Sequence, residues 1–276
     1  MIQPLEVPPV YPFAFKNRDP GRMRRCLLMI NGMTWLTRMP GARLHPWLWS
    51  SKTEMRWLPI NEDIQMGEDM PMPITILDRL IEETSHRMVY DYCGCRLAYD
   101  CEHYPVEVGC LMMGDSAVGA NPDFCREVGV NEAKEHARKA VDAGLVPIVG
   151  KARIDNAIFG IKDTGHLLTV CFCCECCCLT RFFRHTPLKR LEPLVTPLDG
   201  IEIEVTDDCE GCGTCVEKCY MQSIEIVDEK AVMGPYCQYC GRCASVCPND
   251  AIRITLTDPG FFDKTIERIR SFVKYN

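Results

Sequence analysis

The chain has 276 residues, of which 47% are apolar and 25% are charged, and its formal net charge is −7. This balance is that of an ordinary globular protein, long enough for two domains. No apolar run is long enough for a transmembrane helix, and the first residues lack the basic and apolar regions of a signal peptide, so we expect a cytoplasmic protein. Twelve acidic and four basic residues between 199 and 258 exclude nucleic acid as the partner of that part.

Residues 1–70 form an N-terminal region that combines basic and apolar residues. Within it, the apolar stretch from Cys26 to Leu36 predicts a helix, and arginines flank it at positions 22, 24, 25, 38 and 43. Such a helix packs on its own domain, or it contacts a membrane surface or a partner subunit through residues 22–43. The sequence leaves both interpretations open.

Residues 71–198 predict a mixed α/β domain rich in cysteine. The spacing of apolar residues predicts a helix over 74–85 and a strand over 88–92. A second helix is predicted from an N-cap at Asn131 to Gly144, with Ala133, Ala137 and Ala140 on its buried face. A further strand is predicted over 167–170, so each strand leads directly into a group of cysteines.

Prolines between 184 and 199 predict a linker, after which residues 199–258 form a domain with an internal repeat of 28 residues. Each half of the repeat predicts a strand, a cysteine loop, a helical turn and a return strand. The last segment, 259–276, predicts a helix whose packing face contains Phe262, Ile266, Ile269 and Val273.

The chain contains 20 cysteines, a number that predicts metal binding more strongly than disulfides in a protein without export signals. Eight of them form two runs of identical spacing, C-x2-C-x2-C-x3-C, from Cys209 to Cys219 and from Cys237 to Cys247. Zinc modules usually separate two C-x2-C pairs by a dozen or more residues. The compact runs therefore favour two cubane [4Fe–4S] clusters.

These runs resemble the bacterial two-cluster [4Fe–4S] ferredoxin family, over about 60 residues. The resemblance implies a pseudo-twofold ferredoxin-like domain in which the fourth cysteine of each run ligates the other cluster. Tyr220 departs from the family, because a proline usually follows the fourth cysteine. The implied ligands are Cys209, Cys212, Cys215 and Cys247 for cluster 1, and Cys237, Cys240, Cys243 and Cys219 for cluster 2.

Two upstream groups of cysteines are candidate ligands for one or two further Fe–S clusters, although zinc and free thiols stay open as alternatives. Neighbouring side chains of a strand point in different directions, so the second group cannot bind one ion with all its thiols. Arg96 and Arg181 lie close by in the sequence, and such cations would stabilise a negatively charged cluster. The candidates are Cys93, Cys95, Cys101 and Cys110 in the first group, and Cys171, Cys173, Cys174, Cys176, Cys177 and Cys178 in the second.

Three other residues have weaker claims to a metal. Cys125 lies apart from both groups, and Cys26 stands alone and is expected to be a buried, inert thiol. His103 lies between Cys101 and Cys110, but a structural or surface role is its default interpretation.

The upstream pattern, a C-x-C-R box followed by a C-x-C-C-x-C-C-C run, resembles a poorly characterised family of 4Fe–4S dicluster proteins from anaerobes, over residues 87–255. The overall prediction is an α+β protein, in which a mixed α/β cysteine-rich domain precedes the two-cluster ferredoxin-like domain. No dinucleotide-binding or Walker A motif is present.

We therefore expect an iron–sulfur electron-transfer protein or redox-complex subunit of an anaerobic metabolism, with a redox protein as its partner. Two alternatives stay open: an oxidoreductase whose upstream cluster binds substrate, and an activation factor that delivers electrons to another metalloenzyme.

Overall fold

The structure is a computed structural model, and it describes residues 19–39, 54–58, 73–152, 155, 159, 161, 165–192, 194–195 and 197–275. Most of the N-terminal region 1–70 thus lies outside the described residues, including residues 40–43 of the predicted contact segment. Of the predicted N-terminal region 1–70, the structure describes only residues 19–39 and 54–58.

A six-stranded sheet forms the centre of the upstream part, and every neighbouring pair of its strands is antiparallel. The order of the strands is β1-β5-β6-β3-β2-β4. An antiparallel sheet with helices packed on its faces is an α+β arrangement, which agrees with the predicted class. The strands are β1 (Glu54–Trp57), β2 (Arg87–Tyr90), β3 (Leu111–Met113), β4 (Cys125–Glu127), β5 (Val146–Lys151) and β6 (Leu168–Cys173).

Strand β6 distributes its side chains to two different cores. Val170 and Phe172 belong to the larger core, together with helix residues and the C-terminal repeat. Cys171 and Cys173 face the other side of the sheet, in a core shared with Ile148. Successive residues of a strand point to opposite faces, and this alternation separates the cysteines that follow.

The described helices of the upstream part are α1 (Pro20–Leu36), α2 (Pro73–Glu83), α3 (Gly94–Ala98), α4 (Val130–Asp142) and α5 (Leu188–Leu191), with 3₁₀ turns at Asp115–Gly119 and Leu179–His185. Three of these five helices, α1, α2 and α4, overlap the predicted ones. Helix α4 buries Ala133, Ala137 and Ala140 as predicted. The predicted cap at Asn131 was wrong, because Gly129 is the N-cap and Asn131 lies within the first turn.

Helix α1 has one buried face and one exposed apolar face. Its buried residues include Met23, Leu27 and Ile30. Met23 and Leu27 pack in one hydrophobic core of the upstream part, and Ile30 packs in the core that contains Ile148. Leu28 and Trp35 are 51% and 54% exposed, and Met29, Leu36 and Met39 are also exposed. The helix therefore packs on its own domain through one face only, and its other face is available for contact.

The segment 184–199 is not the linker that its prolines suggested. Helix α5 lies within it, and Leu191, Leu194 and Leu198 are buried. Leu191 and Leu194 share a core with Tyr220 of the repeat. Apolar side chains at these positions pack the segment against the body of the protein. Burial of these leucines thus determines its structure, although the segment contains prolines.

The C-terminal repeat, residues 201–256, has the predicted two-fold pattern. Strand β7 (Ile201–Val205) pairs with β10 (Ile252–Leu256), and β8 (Ile224–Val227) pairs with β9 (Lys230–Met233). One helical turn follows each cysteine loop, α6 (Thr214–Lys218) and α7 (Arg242–Ser245).

Helix α8 (Phe261–Phe272) packs back on the body, burying Ile266 and Ile269. Val273 just beyond it is also buried, whereas Phe262 is only partly so. Among the described residues, none of the helices has the length and apolar character needed to span a membrane.

Candidate metal centres

The two cysteine loops of the repeat have the same backbone conformation. Gly213 and Gly241 have φ of 82° and 80° and begin the two helical turns. Gly211 and Tyr239 are the next matched pair, with φ of 65° and 52°. A positive φ is unusual for tyrosine, so the loop shape, not the residue type, sets this conformation in both halves.

Each loop surrounds a cavity that also receives one cysteine from the other half. The cysteines that line the first are Cys209, Cys212, Cys215 and Cys247, and those that line the second are Cys237, Cys240, Cys243 and Cys219. The structure thus brings together the eight predicted residues in two sets of four.

Backbone amides point at the sulfurs of these sets. The amides of Ser223 and Ala251 donate to Sγ of Cys219 and Cys247, each at 3.3 Å. The amide of Ala231 donates to Sγ of Cys209 at 3.4 Å. Such donors stabilise negative charge on sulfur, which is what bound thiolates and clusters carry.

The two sets differ in exposure. Cys212 of the first set is exposed, and a hydrogen bond from Thr214 lowers the pKa of its thiol. Burial raises the pKa of Cys240 in the second set to about 12, and burial also raises the pKa of Cys243. The first set therefore reaches the protein surface at Cys212, whereas each cysteine of the second set is buried or half-buried.

The ten upstream candidates separate into two groups on opposite sides of β6. The first, which we call the quartet, consists of Cys101, Cys174, Cys176 and Cys177, whose sulfurs all lie within 4.8 Å of one another. The sulfurs of Cys101 and Cys176 are 3.7 Å apart. Thiolates about 2.3 Å from one tetrahedral zinc ion lie about 3.8 Å from one another, so the quartet is compact enough for a single ion.

The second group, which we call the six-thiol group, lies on the side of the sheet that faces α1. The sulfurs of Cys173 and Cys178 are 2.7 Å apart, and those of Cys110 and Cys171 are 3.6 Å apart. Interactions among their thiols connect the remaining members to these pairs. The group consists of Cys93, Cys95, Cys110, Cys171, Cys173 and Cys178.

Arg96 lies buried between the quartet and the six-thiol group, with no exposed surface. Its guanidinium donates to the backbone carbonyls of Pro105 and Phe172, each at 2.8 Å, and to that of Val108. Burial lowers the pKa of Arg96, but thiolates of both groups raise it by a larger sum, so it stays charged. Among the described residues no carboxylate forms an ion pair with Arg96, which leaves the thiolates as its counter-charges.

The other residues considered from the sequence lie outside these groups. The thiol of Cys125 donates to the carbonyl of Asn121 at 3.2 Å, and burial raises its pKa to about 11. Burial also raises the pKa of Cys26, which is half-buried. His103 is exposed. Arg181 contacts the carbonyl of Cys176 and stacks on Tyr99, so it lies at the edge of the quartet.

Two side-chain connections, which the sequence did not reveal, join the second set of the repeat to the upstream groups. Tyr220, beside Cys219, is 2% exposed, and its hydroxyl contacts that of Thr180, which lies 3.4 Å from Sγ of Cys178. The departure from proline at position 220 was visible in the sequence. The partner of the tyrosine was not, because it is 40 residues away.

The second connection passes through Glu175, which lies between two cysteines of the quartet. Tyr104 donates to its carboxylate at 2.8 Å, and Lys218 does so at 3.2 Å. Arg242, beside Cys243, donates to the hydroxyl of Tyr104 at 2.6 Å. Side-chain contacts therefore lead from residues beside the second set of the repeat to both upstream groups.

Comparisons with known proteins point to the same chemistry. A family model described as a 4Fe–4S binding domain matches residues 236–253, the second cysteine loop. The chain is 40% identical over 50 residues to an uncharacterised ferredoxin of Methanocaldococcus jannaschii, covering 17% of this chain and 81% of that protein. It is also 40% identical over 52 residues to a ferredoxin of Methanothermococcus thermolithotrophicus, covering 17% and 87%. No solved structure matches the chain.

Proposed function

The chain belongs to the 4Fe–4S ferredoxin family, to which residues 236–253 give the match to the 4Fe–4S binding domain. We therefore propose that it transfers electrons through two [4Fe–4S] clusters in the repeat and a third cluster upstream. A bound [4Fe–4S] cluster accepts and donates single electrons. The residues of this chain hold the clusters, tune their charge and bring them close to one another.

The observation that carries the proposal is the composition of the two cavities in the repeat. Each is lined by three cysteines of one run and the fourth cysteine of the other. We propose that Cys247 completes cluster 1 and that Cys219 completes cluster 2. This arrangement ties the halves of the repeat together, so that loss of the clusters would unfold residues 199–258.

Cluster 1 is the better candidate for contact with a redox partner, since Cys212 of its set is exposed. Acidic residues dominate this part of the chain, and we propose a partner with a basic surface, because opposite charges accelerate such encounters. The exposed apolar face of α1 is a candidate for a second contact, with a subunit or a membrane surface. A cytoplasmic location, an anaerobic metabolism and a role as an activation factor stay predictions.

We assign the third cluster to the six-thiol group. Five of its cysteines, Cys93, Cys95, Cys110, Cys171 and Cys178, line one cavity, and a cube needs four ligands. The compact quartet favours a single metal ion instead, which is the zinc alternative that the sequence left open. Arg96 supplies positive charge to both.

Cysteine variants test these assignments through metal content. The triple variant Cys95→Ser, Cys110→Ser, Cys171→Ser leaves only three thiols in the group and is expected to lose about four iron atoms per chain, while the two clusters of the repeat keep their EPR signals. Cys125→Ser is the matched control, because this thiol bonds only a backbone carbonyl, and it should keep all its iron. Equal iron in the triple variant and the native protein would refute the third cluster.

A further inference from the structure

The cavity beside the six-thiol group is much larger than a cluster requires. It encloses about 110 Å³, whereas each cavity in the repeat encloses about 20 Å³. One wall carries the five thiols, and another is formed by Ile30, Met33 and Thr34 of helix α1. Space is therefore left beside a cluster bound to the thiols.

The remaining lining is mostly apolar and has one corner with a carboxylate. Met55, Ile148, Phe159 and Phe182 supply apolar surface. The corner contains Asp155, whose carboxylate accepts a hydrogen bond from the amide of Ala152 at 3.0 Å. A few polar groups in an otherwise apolar pocket fix the orientation of a ligand.

Thr169 supplies the second polar group of this corner. Its hydroxyl is buried and makes no hydrogen bond among the described residues, although it neighbours the carboxyl of Asp155. A buried hydroxyl without a partner costs free energy. Thr169 lies two residues before Cys171 on the same face of β6, so the corner is about 7 Å along the strand from the thiols.

We propose that this cavity binds an apolar ring compound that carries a carbonyl or similar hydrogen-bond acceptor, next to the cluster of the six-thiol group. The apolar walls receive the ring, and the hydroxyl of Thr169 donates to the acceptor. The inference rests on the proposed function in one respect, since that function supplies the cluster beside the ligand. It gives the upstream part a class of ligand.

Two probes of nearly equal shape test the proposal on the anaerobically purified full chain. Acetylnaphthalene carries a carbonyl acceptor, and ethylnaphthalene does not. Equilibrium dialysis under strictly anaerobic conditions gives the dissociation constant of each probe. The native protein is expected to bind both saturably, with acetylnaphthalene about 5-fold tighter because of one additional hydrogen bond.

Three variants assign the binding to the cavity. Ala152→Phe places a ring in the cavity and should abolish binding of both probes. Thr169→Val keeps the side-chain shape and should remove the preference for acetylnaphthalene. Thr265→Val is the matched control, a buried threonine in helix α8 that is not among the lining residues, and it should bind like the native protein.

Iron analysis and thermal unfolding of the same samples separate the two proposals. Lost binding in a folded Ala152→Phe variant that retains its iron supports the cavity as the site. No saturable binding by the native protein, equal affinity for both probes, or unchanged binding by Ala152→Phe would overturn the inference. Binding by a protein without upstream iron would refute the third cluster and leave the ligand site standing.

Discussion

Arg96 offers the sharpest test of how the upstream part holds its metal. Its guanidinium is fully buried, bonds three backbone carbonyls, and has thiolates of both upstream groups as its counter-charges. The variant Arg96→Met removes the charge and the three hydrogen bonds, while Arg96→Lys keeps the charge and loses the fork of donors.

The two effects have separate magnitudes. Each buried carbonyl that loses its donor costs about 1 kcal/mol or more, so three carbonyls cost about 3 kcal/mol of stability. A unit charge at roughly 8 Å in an effective dielectric constant of about 20 contributes about 2 kcal/mol. For a one-electron couple this corresponds to roughly 90 mV. Removal of the positive charge disfavours the reduced cluster and therefore lowers its potential.

Anaerobic potentiometric titration followed by EPR measures this change. In Arg96→Met the potential of the third cluster is expected to fall by roughly 90 mV, and in Arg96→Lys it should stay closer to the native value. Arg126→Met is the control, because Arg126 is exposed and pairs with Glu132. An unchanged potential in a folded Arg96→Met protein would refute the role of Arg96 as counter-charge to a cluster.

Three further predictions follow from contacts in the structure. Cys219→Ala should remove the EPR signal of the cluster in the second loop; loss of the first-loop signal instead would contradict the crossed ligation. Tyr220→Phe should shift the potential of the third cluster but not those of the repeat, because Thr180 loses its partner beside Cys178; equal shifts in all three would argue against this path. Burial raises the pKa of Asp155 to about 6 from 3.8. The contribution of this carboxyl to the stability of the folded protein is therefore most favourable below pH 3.8, where the carboxyl is protonated, and it is lost as the pH rises through 6. Asp155→Asn should therefore stabilise the protein by up to about 3 kcal/mol at pH 8 and much less at pH 4, which thermal unfolding at the two pH values measures.

The spacing of residues in the sequence predicted the helices, strands and loops that depend on contacts between near neighbours in the chain. The helix predicted over 74–85 is found at Pro73–Glu83, and the strand predicted over 167–170 is the start of Leu168–Cys173. The 28-residue repeat predicted two equivalent halves, and the paired φ values of the loops agree with this. Residue spacing determines these features, because a helical face or a tight loop depends on neighbours in the chain.

The composition of the upstream groups could not be predicted, because it depends on contacts between distant segments. The sequence did predict that the cysteines of 171–178 would diverge, and the alternation along β6 agrees. It did not show that Cys101 joins the quartet, since the sheet brings together residues 75 positions apart. The large cavity was invisible for the same reason, as its walls come from α1, β5 and β6.

Metal analysis of the protein after strictly anaerobic purification tests the central claim most directly, that clusters occur upstream as well as in the repeat. The account predicts about 12 iron atoms and about 12 acid-labile sulfides per chain, four for each cluster, with one further ion such as zinc in the quartet. About 8 iron atoms would confine the clusters to the repeat and contradict the claim.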